Sequence, residues 1–392
     1  MVIHACRVGQ PASAIHMAYN DALSGAFRVP ASTSTPAPAG TGYVPLVVVS
    51  RGGIVESIHF GAIAAVDSRG RSIASAGDPG TLVVLRSTAK PAQVLPLLDS
   101  GAVERFRFTE EEIAVMAGSH GGEPFHVRAV LSILGKIGLD ETALQCGAHP
   151  PYHRLSARAL RRRGRKPSAL HNNCSGKHAG MLALAVHLGA PVAAYLEPAH
   201  PVQEGIRARL ETLAGLDRGS IRMATDGCSA PTFAMPLRNL ALLYARLAAG
   251  TDAAGGPDRS ARRVVEAMRR HPEMVAGTDR LCTELMRAGG RSGLLAKIGA
   301  EGMYGFAFAP DGAGVALKIA DGEGQRARFS AALEALRQLG ALAPEAAAVL
   351  RARFVGELRN HRRLLVGEIT TVFHLASSGA AARGTNKPPE ML

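Results

Sequence analysis

Residues 81–98, Thr-Leu-Val-Val-Leu-Arg-Ser-Thr-Ala-Lys-Pro-Ala-Gln-Val-Leu-Pro-Leu-Leu, join a short apolar run to a helical pattern. The run at 81–85 is typical of a strand, and the pattern at 90–98 is typical of a helix. Ser87 and Lys90 lie at the junction in a Ser-x-x-Lys arrangement, so a helix would put both side chains on one face. A serine hydroxyl needs a base before it attacks, and a lysine can be that base when burial or nearby cations lower its pKa. The simpler alternative is a capping serine followed by a surface lysine.

Short apolar runs also occur toward both ends of the chain, and helical patterns fill the middle. The runs lie at 46–49, 61–66, 72–76, 305–309, 314–319 and 366–373, and the helical patterns at 125–137, 176–188, 202–214 and 237–249. Turn signals predict an antiparallel meander from residue 46 to 85, and Pro310-Asp-Gly-Ala313 predicts a hairpin. We therefore expect an α+β fold in which one antiparallel sheet draws on both chain ends around a helical region.

The composition indicates a globular protein that does not cross a membrane. The chain has 392 residues, of which 47% are hydrophobic and 20% charged. Its apolar runs are far shorter than the roughly 18–20 residues that span a bilayer. The N-terminus lacks the uninterrupted apolar core of a secretory signal, and five cysteines, an odd number, do not make a disulfide framework. We expect a cytoplasmic protein with reduced thiols.

The strong basic charge raises the question of a nucleic-acid partner. The net charge is +13, and basic residues cluster at 158–166 and 359–363. Aromatic residues make up only 4% of the chain, and tryptophan is absent. Because single-strand binders stack bases on aromatic side chains, nucleic acid is an unlikely partner and solvated arginine-rich helices are the simpler interpretation.

Two cysteines lie in polar loops at predicted helix entrances, which suggests a metal site. Cys174 is followed by Lys177 and His178, and Cys228 follows Asp226 in the second loop. Two thiolates favour zinc, and chemistry alone favours His178 as a further ligand, because a lysine amine must first lose a proton. The alternative is a pair of buried free cysteines, which are common.

A second serine and a second lysine are candidates for the same site as Ser87 and Lys90. Ser119 stands at a predicted helix end, and Lys297-Ile-Gly299 precedes a predicted strand. Penicillin-recognising serine enzymes carry comparable second and third polar motifs, although the Ser-Asp-Asn and Lys-Thr-Gly sequences are absent here. Lys136-Ile-Gly138 duplicates the late triplet, but the position of Lys297 before the hairpin makes it the better candidate.

Together these segments resemble the type 3, rhizobial-type L-asparaginases, also called asparaginase II-like. The matching segments are Arg51-Gly-Gly-Ile-Val-Glu-Ser-Ile-His59, Arg86-Ser-Thr-Ala-Lys-Pro-Ala-Gln93, Ala117-Gly-Ser-His120, Cys146-Gly-Ala-His-Pro150, Asn173-Cys-Ser-Gly-Lys-His178, Thr225-Asp-Gly-Cys228, His271-Pro-Glu-Met-Val-Ala-Gly277 and Lys297-Ile-Gly299. The resemblance implies a catalytic domain over residues 44–374 with a fold like those of serine β-lactamases and glutaminases. Residues 1–43, in which the stretch 31–42 is low in complexity and cannot build a core, would be a flexible extension, and residues 375–392 a C-terminal tail.

The resemblance also implies an activity, hydrolysis of L-asparagine to L-aspartate and ammonia, and a set of roles. The implied catalytic pairs are Ser87 with Lys90 and Ser119 with Lys297, either serine being able to attack. The implied metal ligands are Cys174, Lys177 and Cys228, with waters completing the shell; Lys177 thus replaces His178. The metal would be zinc that supports substrate binding without being the catalyst. Arg86, His178 and Asp226 would bind or orient substrate, and the protein would form a homodimer.

Two other functions remain open. A penicillin-recognising serine hydrolase would share Ser87, Lys90 and Lys297, but it would leave the cysteines unexplained. A non-catalytic zinc-bearing nucleic-acid binder would explain the basic charge, and its DNA affinity would fall steeply with salt.

Overall fold

The computed structural model describes residues 42–290, 293–308 and 312–377. The strands of this part of the chain are β1 (Val44–Arg51), β2 (Ile54–Val66), β3 (Ser72–Ala76), β4 (Leu82–Val84), β5 (Arg222–Thr225), β6 (Pro231–Pro236), β7 (Leu295–Ile298), β8 (Met303–Phe308), β9 (Ala313–Ile319), β10 (Leu358–Arg359), β11 (Leu365–Thr371) and β12 (Ala376–Ser377). The helices are α1 (Lys90–Gln93), α2 (Leu95–Asp99), α3 (Ala102–Phe106), α4 (Glu110–Met116), α5 (Pro124–Lys136), α6 (Arg154–Arg162), α7 (Ser175–Leu188), α8 (Pro201–Ala214), α9 (Leu237–Ala249), α10 (Arg259–Arg270), α11 (Pro272–Ala276), α12 (Leu281–Ala288), α13 (Phe329–Gln338) and α14 (Pro344–Phe354).

The main sheet draws on both ends of the chain, as the sequence predicts. Its antiparallel strand order is β10-β11-β1-β2-β9-β8-β7, with β3 paired to β2 and to β12. Early strand β2 pairs with late strand β9, and β1 pairs with late strand β11. The mixed helix and antiparallel sheet architecture is therefore confirmed.

Helix α9 covers this sheet and is the helix predicted at 237–249. A Cβ atom on Gly314 of β9 would lie 2.0 Å from the carbonyl oxygen of Ala241, and one on Gly305 of β8 would lie 2.3 Å from the ring of Tyr244. The glycines therefore let the helix backbone sit directly on the strands, because any side chain there would clash. This close packing places Tyr244 beneath the Ser-x-x-Lys segment.

The predicted meander is wrong in its last strand. β1, β2 and β3 pair in sequence, but β4 leaves them and joins a second sheet of order β4-β6-β5. Leu82 pairs with Pro236 and Val84 with Ala234, so the partner strand lies about 150 residues further on. Strand patterning identifies a strand but carries no information about a partner so distant.

The predicted helix at 90–98 is divided into α1 and α2. Pro91 occupies the first turn of α1, and Pro96 occupies the first turn of α2. Proline has no N–H to donate to the preceding turn, so the second proline ends one helix and begins another.

Parts of the sequence-based predictions fall outside the described residues. These are residues 1–41 of the predicted extension, the centre of the predicted hairpin at 309–311, and residues 378–392 of the predicted tail. Within the predicted tail, Ala376 and Ser377 form β12. Among the described helices, none is both long enough and apolar enough to cross a bilayer.

Candidate active site

Ser87 lies in a tight turn that several backbone contacts hold in place. The 3₁₀ turn Arg86–Ala89 connects β4 to α1, and Ser87 is half-buried. Arg86 has φ of 49°, a left-handed conformation that is costly for a residue with a side chain. The Tyr244 hydroxyl donates a hydrogen bond of 2.8 Å to the Thr88 carbonyl and anchors the turn to α9. The serine is therefore presented on a fixed backbone and remains reachable by a small molecule.

The Lys90 side chain is buried and points toward the segment that contains Ser119. Its amine donates to the Ser119 hydroxyl at 2.8 Å, to the Gly118 carbonyl at 2.7 Å and to the Asn173 carbonyl at 3.3 Å. These hydrogen bonds differ from the direct Ser87–Lys90 contact expected from the spacing. Ser87 and Lys90 are only three residues apart in the chain, but the Gly118 and Asn173 carbonyls accept hydrogen bonds from the Lys90 amine and direct this long side chain toward the neighbouring loop.

Ser119 lies between two lysine amines. Lys297, on β7, donates to the Ser119 hydroxyl at 2.9 Å from the opposite side, and it also donates to the Ile298 carbonyl at 2.8 Å. Both lysines are 1% exposed, so neither amine is bathed in bulk water. The Ser119 N–H donates to the Val275 carbonyl at 2.7 Å, which fixes the serine backbone. The structure thus joins Lys90, Ser119 and Lys297 in one hydrogen-bonded group.

Burial and neighbouring positive charge lower the pKa of both lysines. Burial is the main cause of the lowered pKa of Lys90, and the charge of Lys177 adds to it, whereas nearby thiolates oppose it. Burial, followed by the charge of Lys90, lowers the pKa of Lys297 to about 7. Because two charged amines are unfavourable on one hydroxyl, one neutral lysine is available near neutral pH.

The Lys-Ile-Gly segment packs directly against the Ser87 turn. A Cβ on Gly299 would lie 3.0 Å from Thr88 and 3.2 Å from the Leu85 carbonyl, so glycine permits the close approach. The buried Arg328 donates to the Gly299 carbonyl at 2.5 Å and holds the end of β7 in place. Lys297 and Ser87 therefore belong to the same packed unit, as the late position of this triplet predicts.

The cysteines and the lysine of the predicted metal site come together beside Lys90. The Lys177 amine donates to the Cys228 sulfur at 3.1 Å. A hydrogen bond from Cys228 and the charges of Lys90 and Lys177 lower the pKa of Cys174 well below its usual range, and the same thiol contact raises that of Cys228. One thiolate, one thiol and one ammonium thus share this cluster.

These donors fit a zinc ion only if protons leave. Within the described residues no group of three His, Cys, Asp or Glu side chains is arranged to hold a metal, so two thiols and the Lys177 amine are the available protein donors. The charges of Cys174 and Cys228 raise the pKa of Lys177 against the effect of burial. A metal must therefore displace a proton from Lys177 and from Cys228, which makes its binding strongly dependent on pH.

Arg86 and Asp226, both predicted to bind substrate, bind each other. The Arg86 Nε donates to Asp226 at 2.7 Å, and the Gly227 N–H donates to the same carboxylate at 2.8 Å. Burial opposes the ionisation of Asp226, but Lys177, Gly227 and Arg86 outweigh it and lower its pKa. The pair links the loop of Cys228 to the turn of Ser87.

His178, the third predicted substrate residue, is fully buried. Its Nδ1 lies 2.6 Å from the Tyr195 hydroxyl, and its Nε2 has no hydrogen-bond partner in the described part of the chain. Burial and the charge of Lys177 lower the pKa of His178 well below its usual range, so the ring is neutral. It lies behind Lys177, and its role toward substrate stays a prediction.

Sequence reasoning missed two residues at the mouth of the site. Tyr152 and Arg280 line a cleft of about 470 Å³ that also reaches Gly121, two residues from Ser119. Burial and the neighbouring Cys174 raise the pKa of Tyr152, which indicates how near this ring is to the cysteine cluster. Neither residue has a local motif; Tyr152 follows the matching segment Cys146-Gly-Ala-His-Pro150, and Arg280 follows the one that ends at Gly277.

Comparison with known proteins identifies the family. The sequence model of the L-asparaginase II family matches residues 47–371. The chain belongs to this family. The resemblance found in the sequence is confirmed.

Solved structures give a weaker likeness. The native form of a protein called Mglu is 16% identical with a TM-score of 0.40, and the match covers 71% of this chain and 63% of that one. A second Mglu structure is 16% identical with a TM-score of 0.40, covering 72% of this chain and 67% of that one. The chain therefore spans less than two thirds of the length of the first structure. No curated protein matches the chain.

Proposed function

We propose that this member of the L-asparaginase II family hydrolyses L-asparagine to L-aspartate and ammonia by acyl transfer between serine and lysine groups. The observation that carries the proposal is the Ser119 hydroxyl held between the buried amines of Lys90 and Lys297, at 2.8 and 2.9 Å. A purely structural role would pair each buried lysine with a carboxylate, because burying unpaired ammonium groups is costly. Here both lysines instead contact one uncharged hydroxyl. The arrangement suits proton transfer.

The hydrogen bonds define how the proton would move. A neutral Lys90 can keep donating to the Gly118 and Asn173 carbonyls while its lone pair accepts the Ser119 hydroxyl proton. Ser119 meanwhile accepts from Lys297 and can pass a proton between the two lysines. Ser87 attacks the side-chain amide carbon, its proton enters this relay, and the relay returns a proton to the departing ammonia. Water then hydrolyses the Ser87 ester and releases L-aspartate.

The zinc site predicted from the resemblance forms part of the same proposal. Cys174, Lys177 and Cys228 would hold the ion, and their thiol and amine donors suit zinc once deprotonated. When bound, the ion would supply positive charge near the single carboxylate of L-asparagine. The proton relay involves none of these three side chains.

The remaining family expectations are proposals too. We propose a fold of the serine β-lactamase and glutaminase type, because the Ser-x-x-Lys segment, Ser119 and Lys297 take the places of three polar motifs around one sheet edge. A cytoplasmic homodimer is proposed on the same resemblance. Light scattering on the purified chain tests the dimer.

An ammonia-release assay tests the function. Wild-type protein should release ammonia from L-asparagine, and Ser87→Ala should lower turnover by several orders of magnitude while keeping the fold, as judged by circular dichroism. Ser220→Ala, at an exposed turn, is the matched control. A folded Ser87→Ala protein with near wild-type turnover would exclude Ser87 as the nucleophile. Hydrolysis of a chromogenic β-lactam with no ammonia from asparagine would favour the penicillin-recognising alternative.

A further inference from the structure

The cleft that reaches Gly121, two residues from Ser119, is lined by several positively charged side chains. Arg280 lines it together with Arg154 and Arg158, which are exposed on α6. The two carboxylates that line the cleft are engaged elsewhere: Glu123 accepts from the Thr278 N–H at 2.8 Å, and Asp279 pairs with Arg353 at 2.5 Å. Both acids that line the cleft therefore already have partners, and they face three arginines.

Arg280 is the arginine of the cleft whose charge also acts on Lys297. Within residues 42–290, 293–308 and 312–377, no ion pair or side-chain hydrogen bond engages its guanidinium. Arg86, by contrast, forms an ion pair with Asp226, in which Nε and Oδ1 are 2.7 Å apart. A half-buried guanidinium without a partner loses part of its hydration and gains no compensating hydrogen bond, unless a ligand supplies the acceptor atoms.

The backbone before Arg280 is built into a strained conformation. Gly277 has φ of 114° and Asp279 has φ of 55°, both in the left-handed region. A Cβ on Gly277 would lie 2.6 Å from the Glu123 carboxylate, so the glycine is required by space as well as by conformation. Left-handed non-glycine residues also occur at Arg86 and Ser229, beside Ser87 and Cys228. Strain of this kind collects where side chains must be held in one direction for function.

Arg280 also lies within electrostatic reach of the relay. It precedes α12, which packs on β7, the strand that carries Lys297. Its charge is among those that lower the pKa of Lys297, after burial and Lys90. A carboxylate bound by this guanidinium would therefore lie within electrostatic range of Lys297.

We propose that Arg280 binds the α-carboxylate of the amino-acid substrate and thereby selects substrates that carry one. The inference rests on the proposed amidase function. A guanidinium binds a carboxylate through two parallel N–H···O bonds, which fixes the substrate's orientation as well as its charge. Arg86 keeps its bond to Asp226 and acts on the turn of Ser87 instead.

Two substrates separate this role from a structural one. L-Asparagine carries the α-carboxylate, and 3-aminopropanamide is the same molecule without it. Arg280→Gln should lower kcat/KM for asparagine by about 10- to 100-fold, mostly through KM, since a hydrogen bond to a charged group is lost. The same variant should change kcat/KM for 3-aminopropanamide by less than about 3-fold, because that substrate never made the bond.

Matched variants control for charge and folding. Arg280→Lys keeps the charge and should recover part of the loss, because it cannot bind in the two-bond geometry. Arg161→Gln, on the exposed helix α6 and outside the lining of the cleft, removes the same charge and should leave both substrates unchanged. An equal loss on both substrates, or no loss on asparagine, would overturn the assignment.

A failure of the proposed function would look different. If wild-type protein released ammonia from neither amide, the amidase proposal alone would fall. The carboxylate site would then be tested by thermal shift with L-aspartate against β-alanine, which lacks the α-carboxylate. L-Aspartate should stabilise the wild type more than Arg280→Gln, and equal stabilisation of the two proteins would overturn the site.

Discussion

Replacing Lys297 by methionine tests whether two lysines share one proton at this site. Methionine fills similar space without an amine, so Ser119 keeps its bond to Lys90 and loses the one to Lys297. Wild-type kcat/KM should rise with pH, because the active form has lost one proton from the pair and the pKa of Lys297 is about 7. In the variant, Lys90 must supply the neutral amine alone.

The size of the effect follows from the geometry. Both amines bond one oxygen, so they are at most about 5.7 Å apart, the sum of the two hydrogen-bond lengths. At an effective dielectric constant of about 20, two charges at that distance repel by about 3 kcal/mol, which corresponds to about two pH units. Without Lys297 this repulsion disappears and Lys90 holds its proton more tightly. The rising limb of the variant should therefore move about two pH units to the alkaline side.

The assay is ammonia release from L-asparagine between about pH 5 and 10, with stability checked at each pH. Lys136→Met is the control, because Lys136 opens the other Lys-Ile-Gly triplet and pairs with Glu112 away from the site. Its profile should coincide with that of the wild type. A Lys297→Met profile that keeps the wild-type midpoint, or moves to the acid side, would refute the shared proton.

The other predictions concern the metal cluster and the N-terminus. Cys174→Ser should have lost its bound zinc, as measured by elemental analysis, and its KM should rise more than its kcat falls. Wild-type protein purified without chelator that contains no zinc would contradict the metal site. A collapse of kcat at constant KM would instead make the metal part of the chemistry. Deleting residues 1–41 should change the melting temperature and activity little, because we expect that segment to lack core-forming residues. Gly42 should be kept, since its carbonyl accepts from the Asp78 N–H. A truncated protein that does not fold would contradict the interpretation of that segment as a flexible extension.

The sequence predicted the elements with strong local periodicity and missed pairings that depend on distant partners. The helix at 237–249 and the strand at 72–76 occur where the pattern predicts them. The second sheet was missed because β5 and β6 are too short to give a clear sequence pattern, and their pairing becomes visible only in the structure. In the same way, the residue spacing placed Ser87 near Lys90, but only the fold shows that the Gly118 carbonyl and Ser119 attract the amine.

Arg280 could not be predicted for a related reason. It is one of 45 basic residues in a chain with a net charge of +13, so its identity carries no signal. Its significance comes from the lack of an acid partner in the part of the chain that the structure describes, and such a lack becomes visible only when the neighbours are placed in space.

Arg280, which has no ion-pair partner among the described residues, and Lys297 are coupled electrostatically. Positive charge near Lys297 helps to keep that amine neutral in the free enzyme, and Arg280 contributes to this field. A substrate carboxylate on Arg280 cancels part of the field, so Lys297 takes up a proton more readily once substrate is bound. The complex therefore favours a protonated Lys297 beside a neutral Lys90, so that one amine can accept the Ser119 proton while the other supplies the proton that the departing ammonia needs. A salt bridge from a protein carboxylate to Arg280 would remove this coupling, which gives a physical reason for leaving the guanidinium without a partner.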